Sequence, residues 1–495
     1  MPLRIVIIGA GAAGVFTAYR LHEAFGEACE IVLLEAQPRI GGNARSVTLD
    51  VGGTSCSIDL GAQFFFRNPQ PQYVELLERL GLFDPPRQID ARATGLTLWD
   101  GAANERRLWL PSDVSGFLRY RPQDWDRLIE FTKFLVYGLL LDRHRPHDWN
   151  LSVDDWISGL TLVDPDFKDL VIRPFLYQFL TLPLDRIGEG SALYAITYFV
   201  RNVFGEARTD APDPDAGRPA GFPTFSTYQS RIGLDGVLQR ALDAAGVTPR
   251  LNEMAAAIRK TLSGQLEITT SSDTILADHV VIATDPQIAA TMLNAGAFPA
   301  PDLIDSLQQC EYGDLAISIQ QGGSCWMPGD QRYAEAVNTI VDGDRLTFSV
   351  WFGPLRDADA NGQRIPVFKS WATPGLDPEV CSHHVLSHAH RILLPTTSFM
   401  AHRRSIETHQ GNDHLWIAGG WTTWFDSQEA ALASATDVVH GITGAPRAAV
   451  NQTARFDHDH QRALVDRWIT NIAALAPRDR RRKLGSVIDD VEGKG

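Results

Sequence analysis

Lysine and cysteine are both scarce in this 495-residue chain, and no apolar run approaches the length of a membrane span. Only six of the 45 basic residues are lysine. A GC-rich genome would give the same arginine bias, so it carries no functional message. The five cysteines (Cys29, Cys56, Cys310, Cys325, Cys381) are odd in number, scattered, and form no CxxC pair. That spacing argues against a disulfide framework and a cysteine-rich metal site, and leads us to expect a reducing, cytoplasmic setting. The longest late apolar run, Phe134–Leu141, is far too short to cross a bilayer. Positive charge is also in deficit: the formal net charge is −15 and the pI about 5.4. Such a surface repels phosphate, so nucleic acid is not expected as a partner.

What is present is a soluble globular composition, 44% hydrophobic and 21% charged, long enough for two or three domains. "RIVIIGA" and "CEIVLLEA" are short β-branched runs, and "GVFTAYRLHEAF" between them has helical spacing. Together they form a βαβ unit at the N-terminus. Residues 3–18 are apolar enough to resemble the core of a leader peptide. Their glycines, however, sit at nucleotide-binding spacing, and cleavage would remove a strand.

Gly9, Gly11 and Gly14 follow the first strand as G-x-G-x-x-G, with Ala12 and Ala13 opening the helix. Gly9 permits a tight turn, Gly11 admits a pyrophosphate to the backbone, and Gly14 lets helix and strand pack closely. The helix N-terminus offers unpaired N–H groups to phosphate. Glu35, followed by Ala36, ends the second strand 21 positions after Gly14. An acid there accepts hydrogen bonds from ribose hydroxyls. Strand, helix, spacing and acid agree on a dinucleotide.

Further along, residues 109–204 carry leucines and aromatics at helical intervals and read as a helical module. Residues 206–221, rich in Pro, Asp and Gly, read as a loop that could act as a lid. Residues 312–372 alternate as strands of an antiparallel sheet. The segment after Ala476, with its "RRRK", is expected to fray.

Four blocks resemble the FAD-dependent flavin amine oxidase and phytoene desaturase superfamily. The first is "EAQPRIGG", with Arg39, Gly41 and Gly42, followed by Asn43. The others are "IDLGAQFF" with Gly61, Ala62 and Gln63, then "ADHVVIATDP", and "HLWIAGGW…QEAALASATDVV". The resemblance implies an α/β, Rossmann-like fold of the glutathione-reductase type, with a substrate domain of helices and an antiparallel sheet. It implies non-covalent FAD, since no cysteine flanks the last block. It also implies that Ala255 binds the cofactor, with Gly419 near phosphate and the backbone of Gln428 and Glu429 at the flavin's pyrimidine end. Asp59 and Arg45 are expected as structural partners of the flavin loop. The expected cofactor domain comprises 1–110, 221–295 and 396–446. The substrate domain comprises 111–220 and 296–395, and 447–495 forms a C-terminal helix and tail.

The resemblance frays in two places. Gly420 stands where the superfamily has a glutamate, so one ribityl or phosphate contact is missing. No lysine occupies the strand "YGDLAISIQ", where related amine oxidases hold a water against flavin N5. Lys369 is the weak catalytic candidate to replace it, but a lysine on a solvated face is the simpler expectation. Later segments resemble a branch of predicted NAD/FAD-binding proteins and, loosely, polyunsaturated fatty acid isomerases.

Trp421, Trp424 and Phe425 are expected to wall the substrate, with Tyr177, Phe222 and Trp371 as weaker candidates. "HHVLSHAH" sets His384 and His388 at i, i+4, and is expected as surface histidines on a helix, with no metal site. The resemblance implies hydride transfer from a C–H of a hydrophobic, lipid-like substrate to flavin N5, as a desaturase or oxidase, with oxygen or another acceptor following. A redox-neutral double-bond isomerase and an amine or amino-acid oxidase remain alternatives.

Overall fold

The computed structural model describes residues 2–67, 69–84, 87–204, 225–359, 362–372, 379, 381–423, 426–445 and 458–493. The expected lid, 206–221, lies outside them.

Four parallel strands form the cofactor-side sheet in the order Leu415–Ile417, His279–Ile282, Leu3–Ile8, Cys29–Leu34. Their β-branched runs are buried on both faces, as parallel strands covered by helices require. The Ala12–Phe25 helix packs on this sheet against the Gln428–Thr443 and Gly233–Ala245 helices. The strand order reverses direction between Leu3–Ile8 and His279–Ile282, which opens a crevice at the carboxyl ends of the strands. A three-stranded antiparallel sheet, Ala255–Lys260 with Leu266–Thr270 and Thr274–Ala277, flanks this unit.

The second large sheet has seven strands. In order they are His384–Leu393, Tyr312–Gln321, Val367–Ala372, Arg345–Trp351, Val337–Asp342, Leu96–Asp100 and Glu105–Leu110. Residues 96–110, expected with the cofactor domain, therefore hydrogen-bond into the sheet of the later chain, with Leu96–Asp100 parallel to Val337–Asp342. Helices from Val114 to Phe204 lie beside it and bury a continuous aromatic core that includes Phe131, Phe134, Phe175 and Tyr177.

Three expectations are corrected. The histidine-rich segment is a strand, His384–Leu393, not a helix. Positions i and i+4 then lie about 13 Å apart along an extended chain, too far to share an ion. Residues 478–492 form a helix that packs Leu484, Val487, Ile488 and Val491 against Pro122–His144. Their i, i+3, i+4, i+7 spacing outweighs the basic run before them. Finally, Cys325 and Cys381 form a disulfide with Cα atoms 5.8 Å apart. Sheet pairing brings together two cysteines 56 residues apart, which no local spacing could signal. Cys29, Cys56 and Cys310 are free and buried. Among the described residues no helix is long and apolar enough to cross a membrane.

Candidate functional site

All four parallel strands end on the same side, and their carboxyl ends deliver Gly9–Gly14, Glu35, Ala283–Asp285 and Ala418–Gly420 to one crevice. Gly9 has φ +103°, and a Cβ there would lie 2.6 Å from the Ala283 carbonyl oxygen. A Cβ on Gly14 would overlap the Gly9 carbonyl. Neither position can take a side chain without moving backbone. Gly11 caps the Ala12–Phe25 helix and pairs with Gly41, whose N–H donates to the Ala10 carbonyl at 2.8 Å. Arg39 reaches back over this junction and donates to the carbonyls of Ile40 (3.0 Å) and Gly42 (3.3 Å). Among the described residues it has no carboxylate partner. Burial and the nearby Arg45 push its guanidinium down. This is a glycine cradle with a helix N-terminus and a cation that makes no direct ion pair, which suits an anion.

Glu35 is half-buried and accepts from Ala10 N–H and Gln37 N–H, each at 2.8 Å. A carboxylate has about four acceptor positions, so two remain for hydroxyls. Ala36 is exposed beside it. Glu253 N–H donates to the Glu35 carbonyl, and Ala255 begins its strand two residues on.

From the cradle a cavity of about 310 Å³ extends toward the seven-stranded sheet. Its near wall includes Ala12, Asn43, Gly61, Ala62, Gln63 and Gln428. Its far wall includes Tyr177, Phe179, Phe348, Trp371, His390 and Ile392. Pairing register explains the far wall: Trp371 lies opposite both Phe348 and Ile317, and His390 opposite Leu315, so alternate residues of four strands share one face. The Phe348 and Trp371 rings are 4.8 Å apart. The helix that supplies Tyr177 and Phe179 ends at Thr181, held at φ +53°, a conformation non-glycine residues rarely adopt.

Four buried polar atoms around this cavity have no hydrogen-bond partner: Gln63 Oε1, Gln70 Oε1, Tyr177 Oη and His390 Nδ1. Buried polar groups in folded proteins are usually paired, so these four are polar atoms that a ligand in the cavity can engage. His390 is 8% exposed, and burial, His388 and Lys369 push its imidazole down to about 4.

Lys369 is not on a solvated face. It is fully buried, and its ammonium donates to the carbonyls of Asp59 and of Gly61 (2.8 Å). It lies 4.2 Å from the Trp371 ring centroid. Burial pushes it down to about 7 against the attraction of the Asp59 carboxylate. Asp59 in turn accepts from Ser46 Oγ (2.6 Å) and Leu234 N–H (2.8 Å). A lysine of the later sheet thus fastens the Asp59–Gly61 segment of the cavity wall from behind.

The remaining sequence candidates divide. Gly419 N–H donates to Ser434 Oγ at 3.0 Å. Gln428 lines the cavity at the N-terminus of its helix, whose cap is Ser427. Glu429 turns away: its carboxylate accepts from Tyr73 N–H (2.8 Å) and Gln72 N–H (3.3 Å), and burial pushes it up to about 7. Trp421 packs beside Gly419 and Phe399, outside the described cavity wall. Trp424, Phe425 and Phe222 lie outside the described residues. Sequence reasoning missed Phe179, Phe348, His390, Ile392 and Asp426. The histidine strand carried a usable period-two pattern, but helical spacing fits the same letters.

Residues 12–330 match the family model of flavin containing amine oxidoreductases, well over half the chain. Coproporphyrinogen III oxidase of Mycobacterium leprae is 25% identical over 398 residues, covering 75% of this chain and 82% of its own. The Mycobacterium tuberculosis protein of that name is 39% identical over 83 residues, so the chain spans only 17% of its length. Two solved structures share the fold. Cyclohexylamine oxidase from Brevibacterium oxydans has TM-score 0.61 and 15% identity, covering 90% of this chain and 99% of its own. A fatty acid isomerase from P. acnes that produces CLA has TM-score 0.60 and 14% identity, covering 88% and 98%.

Proposed function

We propose, for a chain that belongs to the flavin containing amine oxidoreductase family and is an FAD-dependent oxidoreductase, that it oxidises a largely uncharged, hydrophobic substrate at a C–H bond. Bound FAD would supply a two-electron acceptor for the hydride, and oxygen or another acceptor would serve to reoxidise it. The chain's own residues do the rest. The glycine cradle, Arg39 and Glu35 would hold the non-covalent dinucleotide, and the Gln428 helix N-terminus would favour negative charge on a group beside it. Phe348, Trp371, Phe179 and Ile392 hold the substrate and exclude water, so that the reacting C–H can sit roughly 3–3.5 Å from its acceptor.

The observation that carries this reading is the cavity wall: among its described residues there is no lysine or arginine. A lining that is apolar over most of its area, with amides, hydroxyls, His390 and the acid Asp426 set into it, selects for shape and hydrophobic area. The similarity to coproporphyrinogen III oxidase supports a second reading, oxidation of a porphyrinogen, but a carboxylate-bearing macrocycle would want cations on that wall. Purified holoprotein mixed anaerobically with fatty acids, terpenoids, amines and coproporphyrinogen separates the readings. A neutral apolar compound that bleaches the flavin supports ours, and bleaching only by coproporphyrinogen or by small amines overturns it. Turnover without net consumption of an acceptor would instead indicate an isomerase.

Tyr177 gives a second check. Its hydroxyl is buried and unpaired, which costs the fold about 1 kcal/mol or more. The substitution Tyr177→Phe is expected to raise the melting temperature while increasing KM about tenfold with kcat little changed, the trade-off of a polar group kept for a ligand. Thermal melts and steady-state kinetics on one preparation measure both. An unchanged KM would remove Tyr177 from the substrate wall.

A further inference from the structure

Gly420 leaves a gap where the family resemblance calls for an acid, and the fold brings another acid into it. A Cβ built on Gly420 would collide with Asp426 Oδ1. Asp426 precedes the Ser427 cap of the Gln428–Thr443 helix, and its N–H donates to Tyr194 Oη at 3.1 Å. That bond ties its loop to the Ala192–Phe204 helix. Asp426 lines the cavity and is exposed there, and its carboxylate has no hydrogen-bond or ion-pair partner among the described residues.

A carboxylate only accepts hydrogen bonds. It cannot pair with a diphosphate, which is itself an anionic acceptor. In the flavin site read above, Gly419, one residue before the gap, serves the phosphates and Gln428, two residues after Asp426, serves the ring. The donors of FAD between phosphate and ring are the ribityl hydroxyls. We infer that Asp426 accepts a ribityl hydroxyl hydrogen bond from FAD, supplying from the loop the contact that Gly420 cannot make from the strand. The inference rests on the flavin site read above.

The test is equilibrium binding of FAD to apoprotein, followed by flavin fluorescence. Asp426→Ala is expected to weaken FAD about 10- to 100-fold, the range for a charge-assisted hydrogen bond, without moving the apoprotein melting temperature. Gly420→Glu alone is expected to weaken binding through collision with Asp426. The double variant Gly420→Glu/Asp426→Gly returns the acid to the strand and is expected to bind at least about tenfold more tightly than Asp426→Gly. An FAD analogue lacking the ribityl hydroxyls should bind Asp426→Ala and the unmodified protein alike. Undiminished affinity in Asp426→Ala, no recovery in the double variant, or an equal loss with the analogue would each overturn the inference. If the unmodified protein fails to take FAD at all, it is the flavin site reading that falls.

Discussion

Replacing Lys369 with methionine is expected to cost about 2–6 kcal/mol of folding stability, about 1–3 kcal/mol for each of the two buried carbonyls left without a donor. Methionine fills similar volume, so the loss is not one of packing. It arises because the carbonyls of Asp59 and Gly61 lose their donor and the buried Asp59 carboxyl loses the attraction of the Lys369 charge. The double variant Lys369→Met/Asp59→Asn should recover part of the loss, because it no longer buries a lone charge. Chemical denaturation of the four proteins completes the cycle. A single-variant loss below about 1 kcal/mol would mean that Lys369 behaves as a surface lysine does. Because its partners are the backbone of the cavity wall, Lys369→Met should also loosen FAD, which identifies it as a positioning residue.

Acid sensitivity localised to His390 is the second large effect. In the unfolded chain the imidazole protonates near 6.5, whereas burial, His388 and Lys369 hold it neutral in the fold until about 4. As pH falls through this window the unfolded state binds a proton that the folded state refuses, so stability falls with falling pH. Integrated from 6.5 to about 4, the loss is about 3 kcal/mol, and above 6.5 the group contributes no pH dependence. Carboxylates titrate in the same range, so the measurement is a difference: denaturation at pH 7.5 and 4.5 for the unmodified protein and for His390→Gln. The variant should lose about 3 kcal/mol less between the two conditions. Equal losses would show that His390 is hydrated in the fold.

The cradle was legible because its chemistry is local. Three glycines at a strand-to-helix turn and an acid at the end of the next strand lie within 35 residues, and their contacts are to one another. The far wall was not legible for the opposite reason. Whether Trp371 faces a cavity depends on its register against Phe348 and Ile317, which pairing across the sheet decides and no single segment records. Lys369 looked solvated because burying a lysine is costly in isolation, and the carbonyls that satisfy it are about 310 positions earlier. The histidine strand failed on period: spacing of four suits a helix turn and every second step of a strand equally. Arg478–Glu492 failed on composition, since its basic run concealed four apolar positions on one face.

The seven-stranded sheet has a further consequence during synthesis. Its Leu96–Leu110 hairpin emerges from the ribosome long before its partner strand Val337–Asp342 exists. At about 5–20 residues per second the wait is on the order of ten seconds or more. Throughout it, Leu96, Leu98 and Trp99 lack the surroundings that bury them in the finished protein. Any fragment ending before residue 337 carries an open sheet edge at Leu96–Asp100, a template for pairing with another chain.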